Sequence, residues 1–150
     1  MTEWIITCNI NAYNVEGAFD KLDTIDWRQS TYVEKGDIVY IYVGAPMSAI
    51  RYKCEAMEVE LPEATIDDSE FVLDGSSYEN YGRYMRLHLL DKYDNPLLGR
   101  SKLIENGLKT VQGPSKVNSQ LSAYLFSVVE RGGMFLIISM IKKELHQKHV

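Results

Sequence analysis

The segment Asp37-Ile-Val-Tyr-Ile-Tyr-Val43 constrains the fold of this chain more than any other. It is β-branched and aromatic, and turn chemistry brackets it: Lys35-Gly36 before, Gly44-Ala45-Pro46 after. Side chains of a strand alternate between two faces, and from Ile38 onward both sets are apolar. Such a strand has no side to give to water. It belongs in the middle of a sheet that is covered on both faces. A chain of 150 residues can bury a core of that kind without staples. With 45% apolar and 25% charged residues, it is no disordered tail, collagen-like chain or disulfide scaffold.

The flanking segments supply the rest of the sheet. Trp4–Asn9 reads as a strand. Ile50–Glu60 reads as another, with Tyr52, Cys54 and Ala56 alternating against Arg51, Lys53 and Glu55. The phase then slips, and Met57 and Val59 alternate with Glu58 and Glu60. A one-residue slip turns every later side chain over unless a bulge absorbs it, so a β-bulge is expected at Ala56–Met57. Tyr84–Leu90 is a further strand, with Met85, Leu87 and Leu89 on one face.

A short helix is expected over Ala18–Leu22, and a turn at Asp94-Asn95-Pro96. Val117, Leu121, Tyr124, Leu125 and Val128 form one stripe of an amphipathic helix. Ser115 or Asn118 would cap its start and Gly132-Gly133 would end it. Beyond it, Met134, Ile138, Ile141 and Leu145 have helical spacing, while Phe135–Ile138 has strand-like composition. Residues 61–82 form a long acidic connection with a short element at Phe71–Leu73. The order of elements gives a single α+β domain over residues 1–150, built on a curled sheet.

The net charge of −5 argues at first sight against a nucleic-acid partner. It is unevenly spread. Residues 1–60 carry −5 and residues 61–82 carry −6, whereas residues 83–116 carry +4. Arg83, Arg86, Arg100, Lys102, Lys109 and Lys116 are therefore the candidate phosphate contacts.

Catalytic and metal signals are weak. His88 lies in a strand, and His146 and His149 lack a third ligand. Cys8 and Cys54 fall inside strands and read as buried free thiols of a reducing cytoplasm. No apolar run is long enough for a membrane span, and Met1–Trp4 opens no signal peptide. No phosphate-cradling glycine loop or nucleophile elbow is present. The expectation is a binding protein, not an enzyme, with no cofactor and no metal. Amides and aromatics say more. Asn9 and Asn11 follow the first strand, and Trp27 stands in the polar run Asp26–Tyr32. Trp27 either lids the core edge or offers its indole face to a planar ligand. Tyr78 and Tyr81, in the acidic connection, pose the same choice. Side-chain amides match the donor–acceptor edge of a base.

Trp4-Ile-Ile-Thr7, Asp26-Trp-Arg-Gln29, Lys35-Gly-Asp-Ile-Val-Tyr-Ile-Tyr-Val43 and Ala49-Ile-Arg-Tyr-Lys-Cys-Glu55 together resemble an EVE domain of the PUA-like superfamily, a relative of the YTH and ASCH domains. Gly107–Pro114 and Leu121–Leu125 resemble the second half of such proteins, so the likeness runs over residues 3–129. It implies a curled-sheet pseudo-barrel with flanking helices. It also implies recognition of a modified base, such as a methylated one, in an aromatic pocket. The polymer would be DNA in preference to RNA, with a nuclease or restriction component as a further partner. By the YTH pattern Trp27 is a cage aromatic, Asn9 and Asn11 belong to the pocket, and Arg28 stands where that pattern has Ser. Tyr78 or Tyr81 would supply the second aromatic, with Tyr42, Ser48 and Gln112 as pocket wall. The alternative is a binding protein for a free small molecule, such as a nucleoside, on the same fold.

Overall fold

A computed structural model of the chain describes residues 1–74 and 82–130. Among the described residues six strands form one sheet: β1 (Glu3–Cys8), β2 (Thr24–Arg28), β3 (Ile38–Val43), β4 (Ala49–Leu61), β5 (Tyr84–Lys92) and the two-residue β6 (Ser115–Lys116). Their spatial order is β2-β5-β4-β3-β1-β6. β1 and β3 run parallel, and the other neighbours are antiparallel. Among the described residues three α-helices accompany the sheet: α1 (Val15–Lys21), α2 (Arg100–Glu105) and α3 (Ser119–Leu125), the last continuing as a π-helical turn over Phe126–Glu130.

The doubly apolar strand is central, as its composition requires. Val39, Ile41 and Val43 of β3 point to one side, where they meet Trp4, Ile6 and Cys8 of β1 and Phe19 of α1. Ile38, Tyr40 and Tyr42 point to the other, where Leu103 of α2 and Leu121 and Leu125 of α3 cover them. The inner cluster also contains Ile25 and Trp27 of β2, although β2 and β1 stand at distant places in the strand order. The sheet must curl to bring them to one core.

Register slips produce the curl. Ala56 faces Leu87 but Glu58 faces Arg86, so Met57 is an extra residue bulged out of β4. This is the bulge expected from the alternation. A second irregularity has Ile41 facing Tyr52 and Tyr42 facing Ile50. It turns Ile50 to the outer cluster while Tyr52 stays in the inner one. Bulges raise local twist, which closes a flat sheet toward a barrel.

Local signals account for the helix ends. Asn118, one of the two caps expected, accepts the Leu121 amide on its side chain at 2.9 Å. Leu121 and Leu125 are buried, with Val117, Tyr124 and Val128 packed beside them, so the expected stripe is the buried one. Gly132-Gly133 and the ambiguous segment after it lie outside the described residues. Three elements among the described residues have no counterpart in the sequence reading: strands β2 and β6 and helix α2. The acidic connection begins at Pro62, because β4 runs to Leu61, and its short element is a 3-10 turn over Ser69–Phe71.

Candidate functional site

β2 is an edge strand hydrogen-bonded only to β5 among the described residues. Its residues alternate strictly. Ile25 and Trp27 enter the inner core, and Asp26 between them turns the other way. Asp26 is nevertheless buried, because its register partner is Arg86. The guanidinium donates to both carboxylate oxygens, from Nε at 2.9 Å and from Nη2 at 3.1 Å. The Thr65 and Ile66 amides donate to Oδ2 at 2.8 and 3.1 Å. Burial pushes the Asp26 carboxyl upward, but Arg86 and the two amides outweigh it and hold the group below its ordinary value. The charge pair thus straps residues 65–66 across β2.

Trp27 is 9% exposed and packs edge-on against Tyr13, with ring centroids 5.3 Å apart and planes at 79°. It is a core residue with one margin left open, and that margin lines a pocket. The pocket occupies the gap where the curled sheet brings β2 opposite β1. Ile6 and Thr7 come from β1, Trp27 and Arg28 from β2, Ser30 and Thr31 from the loop after β2, Met85 from β5, and Gly113 and Pro114 from the segment before β6. Its volume is about 120 Å³. A cavity of roughly 150 Å³ admits benzene, so this one suits a single ring. Gly113 has φ +153°, a conformation other residues rarely adopt, and nothing stands within 4 Å of where a Cβ would project. Thr7 Oγ1 donates to the Val111 carbonyl at 2.6 Å, tying that wall to β1.

The rim is rigid because of Gln29, which is fully buried. Its Oε1 accepts the Glu60 amide at 2.8 Å, and its Nε2 donates to the Thr31 carbonyl at 3.0 Å and to Glu60 Oε1 at 3.1 Å. The sequence carries no mark of this: a buried loop amide has the same composition as an exposed one. Asp26 is different. A carboxylate flanked by inward Ile25 and Trp27 signals a strand once Arg86 is seen as its cross-strand partner.

The other expected pocket residues do not gather around Trp27. Asn9 is exposed and shapes the turn after β1, its Oδ1 accepting the Asn11 amide at 2.9 Å. Asn11 is exposed on the same turn. Tyr42 belongs to the outer core, on the opposite face of the sheet from Trp27, because its position has the parity of Ile38 and Tyr40. Ser48 sits in the β3–β4 turn with φ 48°, and its carbonyl accepts the Arg100 amide at 2.9 Å. Gln112 is exposed and precedes the Gly113 wall, so it alone of these adjoins the pocket. Tyr78 and Tyr81 lie outside the described residues. A second cavity of about 250 Å³ lies by the start of α1, between Asn14, Met47, Arg51 and Tyr52.

The expected cations divide likewise. Arg83 and Arg86 are structural: Arg83 grips Glu60 through Nε at 2.7 Å and Nη2 at 2.6 Å, and Arg86 serves Asp26. Arg100, Lys102, Lys109 and Lys116 are exposed. Lys102 makes a surface pair with Glu105 at 3.2 Å, and the Lys116 ammonium lies 5.6 Å from the Trp4 ring centre. Residues 100–116 hold these four cations against one carboxylate, Glu105, and the stretch includes the Gly113–Pro114 wall. Among the described residues no cluster of metal-ligating side chains is present, and no helix is long and apolar enough to cross a membrane. Cys8 and Cys54 are fully buried, and burial pushes the Cys8 thiol up to about 12.

The curled mixed sheet, with one helix inside its end and two outside, has solved counterparts. The ASCH protein of Zymomonas mobilis matches with a TM-score of 0.60 at 12% identity, over 84% of this chain and 94% of that one. The fold is similar to that of this ASCH protein. A Pseudomonas putida protein matches with a TM-score of 0.59 at 14% identity, covering 83% of this chain and 97% of its own. A hypothetical protein of Leishmania major matches at 0.56 and 12% identity, covering 89% and 97%. No protein-family model and no curated protein matches the sequence. The expected α+β architecture built on a curled sheet is therefore present. At these identities the likeness is one of fold.

Proposed function

We propose that this protein is a non-catalytic nucleic-acid-binding module that takes one extruded base, read for its modification, into the Trp27 pocket. The observation that carries the reading is the pocket itself: a ring-sized gap at the open edge of β2, walled by an indole and rimmed by Arg28, Ser30 and Thr31. A ligand pocket for a whole drug-sized molecule measures roughly 300–1,000 Å³, so here only the base enters and sugar and phosphate stay outside. Lys109 and Lys116, exposed and close in sequence to the Gly113–Pro114 wall, are the candidate phosphate contacts. The resemblance to EVE domains favours a modified base, and DNA over RNA, with a restriction-type nuclease as a working partner.

Such a pocket divides the labour. One methyl group adds about 1–3 kcal/mol of discrimination, so affinity comes from the phosphates. The test is a binding screen of plain, methylated and hydroxymethylated oligonucleotides, single- and double-stranded, at two salt concentrations. The expected result is binding that weakens steeply with salt and favours one modification. Failure to bind every oligonucleotide at low salt overturns the proposal. The pocket would also take the base of a free nucleoside, as the second reading. Saturable nucleoside binding that is insensitive to salt, with no oligonucleotide binding, would establish that reading instead.

A further inference from the structure

The loop after β2 presents an aromatic side chain to solvent. Tyr32 is 83% exposed, whereas Tyr13, Tyr40, Tyr42, Tyr52 and Tyr84 are all buried. A lone exposed aromatic is ordinary on a protein surface. This one sits on a hydrogen-bonded turn beside a guanidinium. The Val33 amide donates to the Thr31 carbonyl at 3.0 Å, which makes a tight turn with Tyr32 at its apex. The buried Gln29 amide nitrogen donates to the carbonyls on either side, Thr31 at 3.0 Å and Val33 at 3.4 Å. The Arg83 guanidinium lies 5.6 Å from the Tyr32 ring centre, and its other contacts fix it: the two bonds to Glu60, and a further one from Nη2 to the Thr31 carbonyl at 3.4 Å. Backbone and ring are therefore ordered before any ligand arrives.

The position matters as much as the order. Ser30 and Thr31, the two residues before Tyr32, line the Trp27 pocket. A base extruded into that pocket carries its neighbours along the strand past this rim. An aromatic face there is worth a stacked base, and stacking tolerates any base because every base has a π-face. We propose that Tyr32 is a second base subsite, stacking the nucleotide next to the one held at Trp27. The subsite takes a single-stranded or unpaired neighbour without regard to its sequence. The arrangement is a three-layer stack of guanidinium, phenol ring and base, with the cation already in place. This rests on the function proposed above, and it extends that function from one nucleotide to two.

The subsite has a signature that separates it from the pocket. A free nucleoside fills only the pocket, whereas an oligonucleotide fills both. The probes are a fluorescein-labelled nine-nucleotide single-stranded DNA with one central 5-methylcytosine, and 5-methyl-2′-deoxycytidine alone. They are titrated against the full chain and its Tyr32→Ala and Tyr32→Trp variants, with melting temperatures recorded to confirm folding. The expected result is oligonucleotide affinity about tenfold weaker in Tyr32→Ala, restored in Tyr32→Trp, with nucleoside affinity unchanged in both. Equal oligonucleotide affinity in the full chain and Tyr32→Ala overturns the subsite and leaves the Trp27 pocket standing. An equal loss for nucleoside and oligonucleotide also overturns it, because Tyr32 would then act on the pocket itself. If the unsubstituted chain binds neither probe, the subsite falls together with the reading beneath it.

Discussion

Replacing Trp27 tests the site and the fold together, and the structure separates the two effects. The side chain is 9% exposed and sits edge-on to Tyr13 at 5.3 Å. An aromatic side chain buries about 150–250 Å². At roughly 25 cal/mol per Å² that is about 4–6 kcal/mol. Measured Trp→Ala substitutions in cores cost about 3–5 kcal/mol. In a chain of this size each kcal/mol moves the melting temperature by about 2–4 °C. Trp27→Ala is therefore expected to melt roughly 6–20 °C lower, so lost binding in that variant alone would not identify a ligand contact. Trp27→Phe is the informative change. It keeps an aromatic ring toward Tyr13 and removes part of the indole margin that lines the pocket. Its expected stability loss is well below that of the alanine variant. Its oligonucleotide affinity should fall by about fivefold or more, the low end of the range for a stacked base. Thermal unfolding followed by circular dichroism, with binding titrated by fluorescence anisotropy, reads both. Trp27→Ala melting within two degrees of the unsubstituted chain would refute the placement of Trp27 in the core. Unchanged affinity in Trp27→Phe would refute its role in the pocket.

Reversing Lys109 and Lys116 to Glu should weaken oligonucleotide binding and flatten its salt dependence, while leaving the preference for modified over plain base unchanged; a salt titration by anisotropy decides it. Asp26→Ala strands the Arg86 guanidinium and the Thr65 and Ile66 amides, and should cost about 3 kcal/mol in urea unfolding, with a smaller loss in an Asp26→Leu/Arg86→Met double variant. The Asp26 carboxyl is held below its ordinary value of 3.8, so its stabilisation is present above that pH and is lost as pH falls through the folded-state value; urea midpoints that stay level from pH 6 down to pH 3 would contradict this. Cys8 and Cys54, buried and pushed upward, should react with a thiol reagent in the folded chain only at the rate of unfolding, and rapid native labelling at pH 8 would show otherwise.

The core was readable where one residue pattern had one physical outcome. Ile38 to Val43 could satisfy both of its faces only at the centre of the sheet, and they line the two clusters. The phase slip in Ile50–Glu60 had to be absorbed, and Met57 is bulged. Asn118 offered a cap to a stripe of apolar residues, and it is the cap. Where side chains reach across the sheet, the sequence was silent. β2 looks polar because Asp26 is charged, and its burial depends on Arg86, which is 60 residues away. Helix α2 spans six residues and buries only Leu103, too little for a periodic signal. The site was legible in one residue. Trp27 does line a pocket, but as a buried strand residue with one open margin. Asn9, Asn11, Tyr42 and Ser48 were grouped with it by likeness to another pattern, and strand parity and turn geometry distribute them elsewhere. Tyr32 lies within the run that drew attention to Trp27, yet its exposure follows from Gln29 being buried, and composition does not reveal that.

β6 is only two residues long, pairing Lys116 with Trp4 and Ser115 with Ile5. The Gly113–Pro114 wall of the pocket hangs from it, with the Thr7–Val111 bond as a further tether. The opposite wall, β2, is paired along its whole length with β5. The two sides of the gap therefore differ in the free energy needed to open them. Local opening follows the path with the fewest bonds to break, and here that path runs through the pocket wall and leaves the central strands intact. The gap beside Trp27 can therefore widen at less cost than global unfolding, by fraying one short edge while the central sheet keeps its pairing.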